Sequence, residues 1–386
     1  MRTVMTMCVA AACCVFGMAS IGHAGDGIDH KSKVIHVAGF DAVTGKYGNY
    51  GSGDKIGQEI AVEQINNKGG IQAGPLKGYK LKLDFYDDRG DAREAASIAK
   101  KIASGNYLAV MGPTMSSSAL AASPVFNRYR IADIITYANA SSITAQGFDN
   151  IARLPFTTKT ISDAIAKCVS KDMGKKTVSV IYENQDYGQQ LYNALKTVEG
   201  KYKIKTVSQD VITAGQDVDF KSVLTRAKST NPDALVLFVT YNEGGLIVKQ
   251  TREMGWNVPI VVVDAMTDPK FFELAGDVRN VNMVISADIN QSTAQAQYLN
   301  THYKKKTGES VAPTAAVFGY DAVLVAAKII ENGGTTREKF IKGIPGAKVK
   351  GGIFSALYSF DKFGDSEKHS FVTISAEDFK RKELKK

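Results

Sequence analysis

Three consecutive serines at positions 116–118 follow the apolar segment 107–111, where a strand-like pattern gives way to a helix-like one. A helix begins with unpaired N–H groups and the positive end of its dipole, and serine hydroxyls add further donors. This combination suits a small anion such as a carboxylate or a phosphate. No P-loop lysine accompanies the serines, so nucleotide phosphates are not expected. The alternative is that Ser116 or Ser117 only caps the helix, and the local sequence leaves both interpretations open.

Catalytic and metal-binding patterns are not found in the sequence. The five histidines are scattered, and there is no HExxH motif, no nucleophile elbow and no Cys/His cluster at metal-ligand spacing. A nucleophilic Ser116 would need a base brought to it by folding, and nothing in the sequence indicates one. The sequence therefore predicts a binding protein rather than an enzyme, with no metal and no cofactor.

The length and the charge balance narrow the class of protein further. The chain has 386 residues, which is comfortable for two domains. It carries 48 Lys and Arg against 39 Asp and Glu, a net charge of +9, spread along the chain. Basic residues are not interleaved with aromatic ones, as they are on many nucleic-acid-binding surfaces. This composition favours a solvated basic surface over nucleic-acid binding.

The N-terminal segment, residues 1–24, has the features of a secretory signal peptide. Arg2 precedes an apolar run that ends in small residues, with Ala24 as the expected last residue. The run is too short and wrongly flanked for a membrane anchor. Three of the four cysteines lie inside it, so Cys168 alone would remain and no internal disulfide is expected. Lipidation of Cys13 is the alternative, but the preceding alanines match a lipidation box poorly. The mature protein is expected to be exported and not embedded in the membrane.

Strand-like and helix-like runs alternate almost throughout the chain, and the alternation restarts after Thr157. Several strand-like runs, such as 234–240 and 259–264, are continuous stretches of mostly apolar, β-branched residues. Runs of this kind joined by helices indicate parallel sheets with helices on both faces. Two such series in one chain predict an α/β fold of two doubly wound lobes, which bind ligands where strand ends lead into helices.

Local signals also predict particular helix boundaries. Asp54 is expected to begin a helix that ends at the Gly-Gly pair 69–70, and Asp91 to cap another that ends near Gly105. Pro124 is expected to kink or shorten the helix after the serines, because proline lacks the N–H of the helical ladder. The C-terminal third predicts one long helix followed by turn-linked strands.

A series of short segments occurs in a definite order and spacing along the chain. They are TGKYGNYG (44–51), AVEQINNKGGI (61–71), FYDDRGDA (85–92), VMGPTMSSSA (110–119), ENQDYG (183–188), ITAGQDVDF (212–220), REMGW (252–256), ELAGD (273–277) and FGYDAV (318–323). Each segment is weak by itself, but together they resemble the periplasmic leucine/isoleucine/valine-binding proteins, and the resemblance covers nearly all of the mature chain. These proteins are the amino-acid receptors of ABC importers and have the type I periplasmic binding protein fold.

The resemblance implies a domain organisation and a mechanism. Two lobes joined by hinge strands, a Venus-flytrap arrangement, close over one ligand and present it to the permease subunits of a membrane transporter. The lobes are expected to comprise residues 25–156 plus 288–368, and residues 157–287 plus 369–386. The resemblance also implies that the protein works in the periplasm.

The resemblance further implies which residues bind the ligand. Those that would hold the α-carboxylate are Ser116, Ser117, Tyr137, Ala138 and Asn139. Asp264 would pair with the ammonium group. The second lobe would also present Tyr187, Thr240 and Tyr241 at the rim of the cleft, and Tyr50 would approach from the first lobe. Three alternatives remain open: Asp264 caps the next turn, Tyr187 is an ordinary half-buried aromatic residue, and Tyr50 shields a glycine turn.

Several positions depart from the pattern of the family. Asn139 stands where a threonine is frequent, Thr240 where an aromatic residue is common, and Asp264 where a glutamate is usual. Gly90 and Met115 occupy the places of a disulfide that some relatives carry. A shorter acid leaves room for one extra methylene, so the expected ligand is a branched-chain or related aliphatic amino acid rather than leucine specifically. The remaining alternatives are a receptor for an amide, urea or an aromatic carboxylate, and an exported ligand sensor of the same fold.

Overall fold

A computed structural model describes residues 25–383 of the chain, except residues 288, 290 and 368. The predicted signal peptide, residues 1–24, lies outside the described residues. Among the helices that are described, none is long and apolar enough to cross a membrane.

The first sheet has a parallel core of five strands. Strand β2 pairs in parallel with β3 and with β4, the order continues through β5 to β6, and β1 pairs antiparallel with β2. We call the part of the molecule built on this sheet lobe 1. Its strands are Ile28–Asp29 (β1), Val34–Asp41 (β2), Lys80–Asp87 (β3), Ala109–Met111 (β4), Ala132–Ile135 (β5) and Ile151–Arg153 (β6).

The second sheet has the order β14-β11-β10-β9-β7-β8, in which only β14 is antiparallel to its neighbour. We call the part built on it lobe 2. Its strands are Thr177–Glu183 (β7), Lys205–Ile212 (β8), Ala234–Phe238 (β9), Ile260–Val263 (β10), Val281–Ser286 (β11) and Phe371–Ser375 (β14). Strands β9 and β10 are buried along their whole length, as expected for strands covered on both faces. Two short strands, Val349–Lys350 (β12) and Leu357–Tyr358 (β13), form a separate pair.

Helices cover both sheets, and the long buried helix α11 packs against α1. The helices are Gly48–Asn67 (α1), Ala92–Ser104 (α2), Ser116–Arg128 (α3), Ser142–Ala145 (α4), Thr158–Lys167 (α5), Asp186–Tyr202 (α6), Lys221–Ser229 (α7), Tyr241–Glu253 (α8), Pro269–Ala275 (α9), Ala294–Thr307 (α10), Thr314–Glu331 (α11), Arg337–Gly343 (α12) and Ala376–Glu383 (α13). A π-helical turn, Cys168–Asp172, continues α5, and a 3-10 turn, Asp264–Thr267, precedes α9.

The predicted α/β fold of two doubly wound lobes is confirmed, and most helix boundaries agree with the sequence. Asp91 caps α2 by accepting hydrogen bonds from the N–H groups of Arg93 and Glu94. The prediction that α1 begins at Asp54 is wrong, because α1 begins six residues earlier and buries Asp54 in its interior. The Asp54 carboxylate instead accepts a hydrogen bond from Gln58 Nε2 at 2.8 Å, one turn further along. Pro124 does not end α3, which continues four more residues.

The chain passes between the two sheets three times: after β6, after β11 and again before β14. The predicted hinge strands would correspond to these three passages. The boundaries at 156/157, 287/288 and 368/369 stay a prediction.

Candidate functional site

The candidate site lies where the two sheets meet at the carboxyl ends of their strands. In lobe 1 the strand order reverses between β2 and β4, and in lobe 2 it reverses between β7 and β9. Such a switch point opens a crevice at the carboxyl ends of the strands, where α/β sheets bind ligands. A small cavity of about 30 Å³ lies where the loops from both switch points meet. Its lining residues are Tyr50, Thr114, Met115, Ser116, Tyr137, Asn139, Tyr187, Thr240 and Ala265.

Most of the residues predicted for the site lie at this cavity. The predicted residues that line it are Tyr50, Ser116, Tyr137, Asn139, Tyr187 and Thr240. Ala138 is fully buried beside them, and Ser117 is half-buried and does not line the cavity. Sequence reasoning missed Thr114, Met115 and Ala265 as lining residues. The signal was available, because Thr114 and Met115 precede the serines directly and Ala265 follows Asp264.

A buried carboxylate supports the loop between β4 and α3 with the first serines, residues 112–118, which we call the serine loop. Gly112 has φ +119°, and a Cβ there would collide with the carbonyl oxygen of Phe40, so only glycine fits at this bend. Thr114 donates from its N–H (3.0 Å) and its hydroxyl (2.8 Å) to the two carboxylate oxygens of Asp41. Burial raises the pKa of Asp41, and the nearby Asp88 carboxylate raises it further. The loop therefore has a fixed shape before any ligand arrives.

Ser116 takes part in tertiary structure rather than in capping. It is the first residue of α3, whose N-cap residue is Met115, and no side-chain capping bond is made there. The Ser116 hydroxyl accepts a hydrogen bond from the N–H of Ala140 at 3.2 Å and so connects the two strand-end loops of lobe 1. The capping alternative is not realised. The first N–H groups of α3 have no partner within the helix, as at any helix start.

The second strand-end loop of lobe 1, residues 136–142, rests on a buried arginine. Arg153 is completely buried and donates to the Ala140 carbonyl at 2.6 Å and to the Thr144 hydroxyl at 2.7 Å. It also forms an ion pair with Asp365. Asn139 donates from Nδ2 to the Phe156 carbonyl at 2.9 Å. These bonds set the position of the loop that carries Tyr137 and Asn139.

Aromatic side chains from both lobes pack across the cleft. The Tyr50 ring lies 4.8 Å from that of Tyr241 in lobe 2 and 6.1 Å from that of Tyr137. Tyr137 in turn packs on Phe318 of α11 at 5.0 Å. The Tyr50 hydroxyl donates to the Ala265 carbonyl of lobe 2 at 2.8 Å. Tyr50 therefore contacts lobe 2 directly and does more than shield a glycine turn.

Asp264 begins the 3-10 turn after β10 and is only 5% exposed. Its Oδ2 accepts a hydrogen bond from the Tyr137 hydroxyl at 2.9 Å. Burial raises the pKa of Asp264 to about 6, although the bond from Tyr137 and its own and the Ala265 N–H groups oppose the rise. The carboxyl group is thus mostly ionised at neutral pH. Among the described residues no Lys or Arg forms an ion pair with it, so the site offers a buried anion to a cation from outside.

A second, larger cavity of about 560 Å³ lies on the other side of Asp264. Lobe 1 contributes Pro313, Thr314 and Phe354 to its wall, and lobe 2 contributes Thr267 and Ile285 among others. The hydroxyls of Thr267 and Thr314 lie 3.2 Å apart across it. Asp264 lines this larger cavity, whose walls are partly apolar, and does not line the small one. It is connected to the small cavity through its hydrogen bond with Tyr137.

Two facing α/β lobes with a polar cleft at both switch points define a two-lobed binding protein. Residues 34–372 match the family model of the periplasmic binding proteins, and the chain belongs to this family.

Named relatives support this assignment. The Leu/Ile/Val-binding protein BraC3 of Rhizobium johnstonii is 30% identical over 235 residues, which are 61% of this chain and 62% of that protein. The Leu/Ile/Val-binding protein homolog 3 of Brucella melitensis is 27% identical over 341 residues, 88% of this chain and 90% of that protein. The branched-chain amino acid transporter substrate binding protein LivJ from Streptococcus pneumoniae, in complex with isoleucine, is similar in structure. It has a TM-score of 0.76 and 24% identity, and the match covers 88% of this chain and 100% of that one, which shows the shared fold.

Proposed function

We propose that this protein is the periplasmic substrate-binding receptor of an ABC importer, and that it binds a branched-chain or related aliphatic amino acid between its two lobes. The observation that carries the proposal is the buried Asp264 carboxylate, which accepts a hydrogen bond from Tyr137 of lobe 1 across the cleft and has no cationic partner in the described chain. A zwitterionic amino acid supplies both charges that such a cleft can bind. The relatives named above, Leu/Ile/Val-binding proteins, support the same ligand class.

In the proposed complex the α-carboxylate of the ligand binds lobe 1. Its oxygens accept hydrogen bonds from the start of α3 at Ser116 and Ser117, and from the loop with Tyr137, Ala138 and Asn139. Charge-assisted hydrogen bonds of this kind are roughly twice as strong as neutral ones. The ammonium group binds lobe 2 at Asp264 and displaces the Tyr137 hydroxyl from that carboxylate. Tyr187, Thr240 and Tyr241 then enclose the rest of the ligand.

Ligand entry requires the lobes to move. A cavity of about 30 Å³ holds a water molecule or two and no amino acid. The lobes therefore separate, or the tyrosine side chains turn, before the ligand enters. Closing again over a ligand that contacts both lobes is a shift in the population of open and closed forms.

The alternative functions left open by the sequence can be distinguished from an amino-acid receptor. An aromatic carboxylate, an amide or urea has no ammonium group, and binding one of them would leave the buried Asp264 charge without a cation, which is costly. The amino-acid ligand is preferred for this reason. An exported sensor of the same fold would bind the ligand in the same way and would differ in its membrane partner, which an uptake assay in a strain lacking the protein distinguishes.

A thermal-shift panel tests the proposal. The purified protein, without residues 1–24, is heated with each of the twenty amino acids, urea, acetamide and benzoate. A ligand at a hundredfold excess over its Kd stabilises the folded state by about 2.7 kcal/mol, which raises Tm by about 4 °C for a protein of this size. We expect such a shift with one or more aliphatic amino acids. A shift with benzoate or urea and with no amino acid would overturn the proposed ligand class.

A further inference from the structure

Lys46 of lobe 1 reaches into lobe 2 at the edge of the cleft. It lies in the loop between β2 and α1, and its Nζ donates to the carbonyl oxygen of Ala214 at 2.7 Å. The Lys46 carbonyl accepts a hydrogen bond from Asn242 Nδ2 at 3.1 Å. Ala214 follows β8, and Asn242 lies in the first turn of α8 after β9. One lysine is therefore bonded to two separate strand-end loops of the opposite lobe.

The recess that receives Lys46 is shaped for its side chain. Gly215 lies under the lysine stem with φ +74°, and a Cβ at Gly215 would collide with Lys46 Cδ. The N–H of Gly215 donates to Glu243 Oε1 at 2.7 Å, which holds the loop in place. Glu243 Oε2 in turn accepts a hydrogen bond from the Thr240 hydroxyl at 2.7 Å. A larger residue at position 215 would exclude the lysine stem from this recess.

A buried acid that is mostly protonated at neutral pH lies within the electrostatic range of Lys46. Glu183, at the end of β7, is fully buried, and in the described chain neither of its carboxylate oxygens has a hydrogen-bond partner of good geometry. Burial raises the pKa of Glu183 to about 8, and the neighbouring Glu243 adds to the rise, whereas Lys46 opposes it. The buried hydroxyl of Tyr47, next to Lys46 in lobe 1, has no partner of good geometry either. Its pKa is raised by burial and by the Glu183 and Glu243 carboxylates.

We propose that Lys46 is a positioning residue for ligand binding: its ammonium group binds the 214–215 loop, which the Glu243 carboxylate holds in place, and favours the closed arrangement of the lobes. Lys46 does not line the cavity at Ser116 and Tyr137, so its effect on the ligand is indirect. Only the part of this inference that concerns how long the ligand stays bound depends on the proposed function. The contact between the lobes is testable without a ligand.

The attraction between Lys46 and the recess should depend on the salt concentration, whereas a purely structural role of Lys46 would not. Lys46 is exposed at the rim, so salt screens its interaction with the recess, and the Debye length falls from about 10 Å at 0.1 M to about 3 Å at 1 M. High salt should therefore open the wild-type protein and leave a variant without the Lys46 charge unchanged. A residue needed only for folding would alter stability and not this salt response.

The experiment uses Lys46→Met, which keeps most of the aliphatic side chain and removes the charge. The control is Lys77→Met, at an exposed lysine of lobe 1 that makes no side-chain hydrogen bond to lobe 2 in the described part of the chain. Small-angle X-ray scattering of the ligand-free proteins at 0.1 M and 1 M NaCl measures the radius of gyration. We expect Lys46→Met to be more expanded than wild type at low salt, wild type to expand at high salt, and Lys77→Met to behave as wild type. Gly215→Ala, which obstructs the recess from the other lobe, should resemble Lys46→Met. Scattering of Lys46→Met identical to wild type at both salt concentrations would overturn the inference.

Leucine dissociation and a double-mutant cycle complete the test. We expect leucine to leave Lys46→Met about three- to tenfold faster than wild type, the range for one interlobe hydrogen bond with a partly screened charge. The effect of Lys46→Met should shrink in a Glu243→Gln background, and additive effects would contradict the part assigned to Glu243. An unchanged dissociation rate overturns the inference while the proposed function stands. If leucine does not bind wild type, the proposed ligand class is weakened and the scattering alone decides about Lys46.

Discussion

The hydroxyl of Tyr137 lies 2.9 Å from Asp264 Oδ2, although the two residues follow strands of different sheets. Tyr137 comes after β5 of lobe 1 and Asp264 after β10 of lobe 2, so this hydrogen bond spans the cleft. A neutral phenol thereby occupies the position in which the proposed ligand places its ammonium group. Burial and the Asp264 carboxylate both raise the pKa of Tyr137, so the phenol stays protonated and donates. A charged donor binds a carboxylate more strongly than a neutral one, which makes the exchange favourable.

Replacing Asp264 by asparagine should abolish high-affinity binding of amino acids. The amide keeps the size of the side chain and an oxygen that accepts from Tyr137, so the fold is expected to persist. It removes the charge that pairs with the ammonium group, and breaking a buried ion pair on one side costs about 3–5 kcal/mol, a hundredfold or more in Kd. Isothermal titration calorimetry measures the change. The matched control is Asp219→Asn, at an exposed aspartate whose amide replacement can still accept from the Lys221 N–H. Equal affinities in the two variants would contradict the role of Asp264.

The affinity for amino acids should depend on pH through the same carboxylate. The pKa of Asp264 is raised to about 6 by burial, and only the ionised form pairs with an ammonium group. Binding is therefore at full strength above about pH 7 and weakens as the pH falls through 6, approaching tenfold per unit below it. Titrations between pH 4.5 and 8 measure the profile, and the ratio of wild-type to Asp264→Asn affinity isolates the contribution of Asp264 from that of other groups. A ratio that is constant over this range would show that Asp264 does not bind the ammonium group.

Tyr50→Phe should weaken binding moderately, because the Tyr50 hydroxyl donates to the Ala265 carbonyl across the cleft at 2.8 Å. A neutral hydrogen bond contributes about 0.5–1.5 kcal/mol, so Kd should rise roughly two- to twelvefold. The rise should come from faster dissociation, since the bond is made only when the lobes are together. Stopped-flow fluorescence separates the two rates. Tyr192→Phe, at a ring stacked on Tyr182 within lobe 2, is the control and should leave both rates unchanged.

Arg153→Met should destabilise the folded protein strongly. Arg153 is fully buried, and its removal leaves the Asp365 carboxylate without its cationic partner and the Ala140 carbonyl without the guanidinium donor. Loss of one partner of a buried pair costs about 3–5 kcal/mol. Arg130→Met is the control, because Arg130 pairs with Asp149 and Glu338 at the exposed surface, where such pairs contribute about 1 kcal/mol or less. Denaturant unfolding measures both free energies. A loss for Arg153→Met no larger than for Arg130→Met would contradict the support of the 136–142 loop.

The sequence predicted well what local patterns determine. The β-branched runs identified β9 and β10, and Asp91 marked the start of α2. The strand-end position of Ser116 followed from the rule that α/β sheets bind ligands at their carboxyl edge, whereas Tyr137 and Thr240 were identified through the resemblance to the family. The start of α1 was predicted too late because its first turns contain several glycines, which favour loops in the absence of tertiary contacts.

Features that depend on distant partners could not be predicted from local sequence. Arg153 pairs with a residue 212 positions away, and Lys46 donates to a carbonyl 168 positions away. Neither residue has a neighbour in sequence that indicates its partner. The same holds for Asp41, which supports Thr114 from 73 positions away and reads in the sequence as an ordinary strand end. The residues that support the site thus emerge only when the two lobes are folded together.

The central claim is that the two lobes bind opposite ends of one zwitterion. A crystal structure of the protein with the amino acid that stabilises it most in the thermal-shift panel tests this directly. We expect the ligand nitrogen within about 3 Å of an Asp264 carboxylate oxygen and the ligand carboxylate at a similar distance from Ser116 at the start of α3. A ligand that contacts neither residue, or whose ammonium group lies beside lobe 1, would contradict the claim.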